Sequence, residues 1–411
     1  MRGAKLRIQP KIRLAPAVLA VLLAGYAIAE VGRFARAEQL ARKDTVEALQ
    51  AALELTPRNA DYYARIATLD SARDDQLRVA LTLNAKDPSW WIMLSVRQEQ
   101  EGDVAGAEKS LRQANLVSRY FTPRWSFAAF YYRQGNKAEF MKWAKSALSA
   151  GNGQPESLFQ MAQRLNLTST QILDDLLPEV PDRVDSYLHL LLQQGKVDQE
   201  HAAAARLVRI GSPENRSSIL ETCESLFVAG KIDQAVDLWN MAIRAGWINL
   251  SPLDPLSGKS LANDSFVGEP LERGFDWKNS IPPGVSAIRS VSDRSLYLEL
   301  SGSQPESCEL MGQFVPLLPK RQYLLKIRYR LRHTQSGSGL QWSVLPVPSG
   351  KPVMVGLMNL PAEEFVEQSF PFETLPQQCP MRLLLSYTRL PGTTRMEGEL
   401  WIRSVQLTLV P

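Results

Sequence analysis

Hydrophobic positions change their period along this chain, and each change marks a different kind of element. An uncharged run from Leu14 to Ala29, LAPAVLAVLLAGYAIA, stands near the beginning. It predicts a helix apolar on every side. Sixteen residues of helix rise about 24 Å, short of a hydrocarbon core of roughly 30 Å. Val31 and Phe34 extend the run, with Glu30 and Arg33 reaching toward the interface. From residue 35 to about 250, apolar residues recur at spacings of three and four, the period of helices buried by one face. Pro252, Pro255, Gly258, Asn263, Asp264, Gly268 and Pro270 then break that period, so 251–273 reads as a linker or a wrapping segment. Alternating runs follow and predict strands at 285–290, 295–300, 308–315, 322–332, 339–347, 366–373, 381–388 and 398–409. Turn residues separate them, as in SGSQPES, LLPK, TQSGSG and RLPGTT.

The expected fold class is therefore a multidomain α and β chain. Its parts are a basic head with an apolar helix (1–34), an all-α superhelix (35–250), the linker (251–273) and an antiparallel β-sandwich of jelly-roll type (274–411).

The helical stretch repeats. EGDVAGAEKSLRQA at 101, QGNKAEFMKWAKSA at 134, QGKVDQEHAAAARL at 194 and AGKIDQAVDLWNMA at 229 align without gaps on Gly102, Gly135, Gly195 and Gly230. Glycine permits the sharp reversal between two antiparallel helices. Five positions on stand Ala107, Phe140, Glu200 and Ala235, where a small residue lets helices approach closely. Leu111, Ala144, Ala204 and Trp239, then Ala114, Ala147, Leu207 and Ala242, return to the same helical face.

On these residues the chain resembles the tetratricopeptide repeat family, whose unit is a helix pair of about 34 residues. Trp91, Leu94, Ser95, Gly102, Ala107, Leu111 and Ala114 carry the match over 89–122. Cys223, Leu226, Gly230, Ala235, Trp239 and Ala242 carry it over 218–250. Phe140 and Glu200 at the small position make the intervening units divergent; 155–177 leaves room for a degenerate unit, and 57–88 for one upstream. The resemblance implies a superhelix that binds a protein partner. Trp91, Trp125, Trp143 and Trp239 are read as packing residues within it.

In the strand region, alternation separates inside from outside. Tyr323, Leu325, Ile327, Tyr329 and Leu331 share the core face of the longest strand, as do Leu296, Leu298 and Leu300, and Met381, Leu383, Leu385 and Tyr387, on theirs. Trp342 points inward by parity with Leu340 and Val344, while Lys326, Arg328, Arg330 and Arg332 face out, together with Tyr297, Gln341, Ser343 and Arg382. The phrases GFDW (274–277), SLYLELSG, RQYLLKIRYR, GLQWSV and GELWIRSVQL resemble the galactose-binding-like jelly rolls of carbohydrate-binding modules. Together with the repeats, they resemble proteins of bacterial envelope polysaccharide systems. Tyr297, Lys326, Arg328, Arg330, Gln341 and Arg382 are the glycan-binding candidates: arginine pairs with carboxylates of an acidic polysaccharide, and an exposed ring stacks on a sugar face. The plain alternative is a charged, solvated sheet face that discourages edge aggregation.

Charge refines the picture modestly. The formal net charge is +4, and Arg2, Lys5, Arg7, Lys11 and Arg13 supply much of the excess, so nucleic acid is not an expected partner. That basic head favours an N-terminus inside and export of the remainder. Residues 14–34 are then a single-pass inner-membrane anchor with the bulk of the chain periplasmic, or a signal cleaved near Ala29, since Ala27-Ile28-Ala29 fits the small-x-small pattern. Cys308 and Cys379 form a strand-to-strand disulfide in an oxidising compartment, or remain two free thiols. Cys223 lies on a repeat helix and reads as buried and inert. His189, His201 and His333 are too far apart in sequence to suggest a metal pair, and the sequence carries no phosphate loop, HExxH, GxSxG or strand-associated GxGxxG. No cofactor, metal site or catalytic residue is expected. Function therefore reads as a non-catalytic, membrane-attached envelope scaffold in exopolysaccharide or surface-polysaccharide assembly. One rival is a purely structural interaction module, and another is a glycan-modifying enzyme acting through the sandwich.

Overall fold

A computed structural model describes residues 11–70, 73–151, 153–267, 270–290, 294–333, 338–348, 350–358 and 362–410. The basic head through Pro10 and the turn at 334–337 lie outside them. The chain divides into two compact units, residues 1–154 with 161–166, and residues 155–160 with 167–411.

The first unit is helical. Helix α1 (Lys11–Ala41) is long and apolar enough from Pro16 onward to cross a membrane or to serve as a signal sequence. Val18, Leu22, Ile28, Val31 and Phe34 are all exposed on it, whereas Ala37 and Ala41 are buried. The same helix thus passes unbroken from the apolar stretch into the packed domain, where Ala37 and Ala41 meet Leu49 and Ala52 of α2 (Val46–Leu55). Antiparallel pairs follow: α3 (Ala60–Leu69) with α4 (Asp74–Leu83), α5 (Pro88–Gln100) with α6 (Val104–Val117), and α7 (Phe121–Arg133) with α8 (Lys137–Leu148).

The turn of the α5/α6 pair shows why the glycines recur. Gly102 adopts φ +84°, its N–H donates to the carbonyl of Glu99, and the Asp103 N–H reaches back to Gln98. These bonds satisfy carbonyls that the helix end leaves open, in a left-handed conformation that only glycine takes without strain. Gly135, Gly195 and Gly230 repeat the pattern, and Gly246 ends the last helix the same way. Beyond this turn, Ala107 and Ala114 of α6 are fully buried, and Leu94 of α5 packs in a cluster with Ala64, Ala67, Leu77 and Ala80 of the preceding pair. Trp91 is half-buried, and its indole N–H donates to the carbonyl of Ala85 at 2.9 Å.

Helix α9 (Glu156–Arg164) is followed by a π-helical turn, Gln171–Leu176, so the degenerate region at 155–177 is a pair whose second helix is cut to one turn. The second unit continues with α10 (Pro181–Gln193), α11 (Val197–Ile210), α12 (Arg216–Val228) and α13 (Ile232–Arg244). Ala235, Trp239 and Ala242 are buried on α13, and Cys223 on α12. Glu200, at the small position of α11, is also fully buried, and both its carboxylate oxygens lack hydrogen-bond partners.

The sandwich comprises β1 (Lys278–Asn279), β2 (Val285–Ser290), β3 (Ser295–Ser301), β4 (Ser307–Val315), β5 (Gln322–His333), β6 (Leu340–Pro346), β7 (Met354–Leu357), β8 (Ala362–Glu373), β9 (Met381–Thr388) and β10 (Glu397–Leu409). One antiparallel sheet runs β1-β4-β9-β6-β7 and the other β2-β3-β10-β5-β8. Inward-facing Tyr323, Leu325, Ile327, Tyr329 and Leu331 of β5 are fully buried, as are Trp342, Leu383 and Leu385 opposite them. Alternation had placed all of them there.

Residues 251–267 wrap the sandwich rather than hang as a tether. Asn240 of α13 exchanges two hydrogen bonds with the backbone of Leu253, at 2.8 and 2.9 Å. The buried Ser260 hydroxyl donates to Pro316, and the backbone N–H of Val405 donates to Asp264. The GFDW phrase then joins helices to sheet. Gly274 passes so close to Trp239 that a Cβ would lie 2.7 Å from the ring. Phe275, 1% exposed, sits edge-on to both Phe227 (5.2 Å) and Trp239 (5.7 Å). Asp276 accepts from Leu271 N–H and Asn263, Trp277 enters the core, and Lys278 pairs with Glu224 at 2.8 Å.

Cys308 and Cys379 are free, so the bridge weighed from sequence is not formed. Register supplies the reason. Cys308 faces Tyr387 at one end of the β4–β9 ladder, while Cys379 lies just before Met381, which faces Val315 at the other end. Seven residues of strand separate those ends by roughly 20 Å, against the 7 Å or less that a disulfide tolerates between Cα atoms.

Candidate binding face of the sandwich

The outward face of the β2-β3-β10-β5-β8 sheet is organised by an irregularity in β10. The ladder with β5 shifts register between Ile402 and Ser404, so one residue, Arg403, is extra. Leu400 and Ile402 point into the core before the bulge, Val405 and Leu407 after it. The change of parity turns Trp401 outward and adds Arg403 beside it.

Register then lines residues up across the strands. Ile288 of β2 faces Tyr297 of β3, Tyr297 faces Trp401 of β10, and Trp401 faces Arg330 of β5. The row crosses four strands spaced about 4.8 Å apart. Tyr297 and Trp401 rings lie 5.1 Å apart. The Arg330 guanidinium rests 3.9 Å from the Trp401 ring and 5.4 Å from Phe365 of β8, and its Nε is buried without a hydrogen-bond partner. Arg403 stacks on the Phe365 ring at 4.1 Å, and Arg332 lies 5.6 Å from Trp401. Cation–ring contacts of this kind contribute about 0.5–2 kcal/mol each and hold the rings in place.

Carboxylates border this row. Glu299 and Glu399 face each other in register, and Glu399 also faces Arg332. The Tyr297 hydroxyl donates to Glu399 at 3.2 Å. Burial, reinforced by the Glu399 and Glu299 charges, pushes that phenol up to about 12, so it remains a proton donor at any physiological pH. On the other side of the row, Arg328 and Glu367 face each other, and Glu367 reaches Lys326 at 3.9 Å.

Of the six residues expected to bind glycan, Tyr297, Lys326, Arg328 and Arg330 share this face. Gln341 (β6) and Arg382 (β9) belong to the opposite sheet. Arg382 is ion-paired with Glu309 at 2.9 Å and covers Gly312, which is why it packs close to the sheet. The four outward cations of β5, Lys326, Arg328, Arg330 and Arg332, do not stand as an isolated basic stripe. Arg330 is pressed between rings, Lys326 is paired, and acidic residues stand between the others. Trp401 and Phe365, the largest rings of the face, were not singled out from sequence.

Farther along β10, where β3 has ended, the wrapping segment takes its place. A cleft opens there between 249–252, 257–265 and the outward Gln406 and Thr408. Asn249, Ser257, Ser265 and Thr408 supply amide and hydroxyl groups to its walls, with Lys259 and Asp264 as its charged members. The Asn263 side-chain amide oxygen, Oδ1, is buried without a partner.

No protein family and no curated protein matches the sequence. Among solved structures the chain is similar to a carbohydrate-binding module, CBM4, at 12% identity over 37% of this chain and all of that one, with a TM-score of 0.28. It is also similar to YrrB, a TPR protein with an unusual peptide-binding site, at 12% identity over 49% of this chain and 93% of that one, TM-score 0.23. A third is pilF of Pseudomonas aeruginosa, at 14% identity over 54% of this chain and 93% of that one, TM-score 0.26. By its own elements the chain joins antiparallel helix pairs to a sandwich of two antiparallel sheets.

Proposed function

We propose that this protein is a non-catalytic scaffold of the bacterial cell envelope that holds a glycan on the outward sheet face and a protein partner on its helical repeats. The row Tyr297–Trp401–Arg330–Phe365 carries this reading. Half-exposed rings held by cations offer flat apolar surface for the C–H face of a sugar, and the bordering hydroxyl, guanidinium and carboxylate groups suit its hydroxyls. Acids alternate with cations across the face, which favours a neutral glycan over an acidic one. Helix α1 supports attachment to the inner membrane with the bulk of the chain periplasmic. Glu299 and Glu399 stand side by side on an open sheet rather than across a cleft, which supports binding without turnover.

Affinity electrophoresis of the detergent-solubilised full chain through gels of neutral and acidic polysaccharides tests the proposal. Retardation by a neutral polymer, weakened at least tenfold in Trp401→Ala, is the expected result. Equal mobility of wild type and Trp401→Ala in every gel would remove the sugar-binding half.

A further inference from the structure

The cleft beyond the end of β3 is built by the segment that the sequence offered as a linker. Its floor is fixed at several points: Val405 N–H to Asp264, Gln313 to the carbonyl of Ala262 at 2.8 Å, and Trp277 to the carbonyl of Asn263 at 2.9 Å. Leu253 is tied to α13 through Asn240. A cleft held on both sides by the fold keeps its groups in position before anything binds. Its lining mixes amide and hydroxyl groups with apolar surface from Leu250, Pro252 and Leu261, and its charged members are one cation, Lys259, and one carboxylate, Asp264. Such a lining suits a neutral, polyhydroxylated ligand and has no excess charge with which to select an anion.

Its position gives it further meaning. Gln406 and Thr408 stand on the outward face of the same strand that carries Trp401. Five residues of strand place Gln406 roughly 16 Å from Trp401, a span that one sugar ring cannot bridge. Between them on the outward face of β10 stand Arg403, held over Phe365, and Ser404, beside Arg328.

We propose that the cleft is a second sugar subsite, and that a neutral oligosaccharide seated on Trp401 runs along β10 into it rather than across the sheet; this rests on the glycan reading above. Linking two weak subsites through one ligand raises affinity without any new contact at the first.

The test is calorimetric titration of the full chain with neutral hexose oligomers three and six units long, drawn from β-1,4-glucan, α-1,4-glucan and α-mannan series. Wild type, Trp401→Ala and the double variant Asn249→Ala/Gln406→Ala are compared; Asn249 and Gln406 are both exposed, so the fold does not depend on them. The expected result is a six-unit ligand bound at least tenfold more tightly than its three-unit relative. That gain disappears in the double variant, while three-unit affinity stays unchanged. A six-unit ligand that gains nothing, or a gain that survives the double variant, overturns the second subsite and leaves the Trp401 row standing. No binding by any series, or binding indifferent to Trp401→Ala, removes the glycan reading and the subsite with it.

Discussion

Phe275→Ala separates a sandwich that is built onto the last helix pair from one that merely follows it. The side chain is 1% exposed and lies edge-on to Phe227 of α12 and Trp239 of α13, while the same short segment delivers Trp277 to the sandwich core. Truncating a fully buried phenylalanine costs about 3–5 kcal/mol in lost transfer energy and residual cavity. Here the two edge-to-face pairs place the cost toward the upper end. For a cooperative unit of roughly 250 residues, each kcal/mol lowers the midpoint by about 2–4 °C, so a fall of roughly 6–20 °C is expected. Calorimetry of the full chain measures it, and amide exchange locates it. Protection should fall in α12, α13 and β4 together, with Phe275→Leu losing less. A midpoint within 2 °C of wild type, or lost protection confined to the helices, would refute a shared core.

Other consequences are as definite. Burial pushes the Glu200 carboxyl upward from its ordinary value, so the folded state holds that proton more tightly than the unfolded state does. Stability is therefore lost as pH rises from the ordinary carboxylate range through the raised value, and Glu200→Gln should raise the melting temperature at pH 7 more than at pH 4. A larger gain at pH 4 would contradict the sign. Gly230→Ala should lower stability by about 1–2 kcal/mol in chemical denaturation, because Gly230 sits at φ +81°. An unchanged midpoint would show that this turn does not need glycine. Exchange of 50 mM for 500 mM sodium chloride should alter glycan affinity less than twofold; a drop above tenfold would favour an acidic polysaccharide. Thiol titration of unfolded protein prepared from an oxidising compartment should find Cys308 and Cys379 unbridged, and a disulfide joining them would contradict the β4–β9 register.

Much of the architecture was legible because its causes are local. Glycine turns recur where a helix end must close in the left-handed region, and alternation in β5 and β9 sorts core from surface one residue at a time. The short edge strands Lys278–Asn279 and Met354–Leu357 carry too few residues for a period, and they were missed. The face that matters most was hidden for a different reason. From Val405, Leu407 and Leu409, parity places Trp401 inward, and only the extra residue at Arg403 turns it out. The bulge does leave a mark, since the buried apolar residues change phase between Leu400 and Ile402 on one side and Val405 and Leu407 on the other, but a single parity assigned to the whole strand passes over it. Phe365 lay just outside the expected strand at 366–373, so it had no assigned side. The disulfide question depended on register between strands far apart in sequence, which local pattern does not encode. Composition offered 251–273 as a linker or a wrapping segment, and irregular backbone can wrap as well as tether. The bonds from Asn240, Ser260 and Gln313 decide between them.

Oxidative footprinting of the full chain, with and without a bound neutral hexasaccharide, tests the central claim most directly. Peptide mass spectrometry reads each aromatic side chain separately. The account predicts that the sugar protects Trp401, Tyr297 and Phe365 together while Trp91 in the repeats keeps its reactivity. Unchanged oxidation at Trp401, or protection confined to the helical repeats, would contradict it.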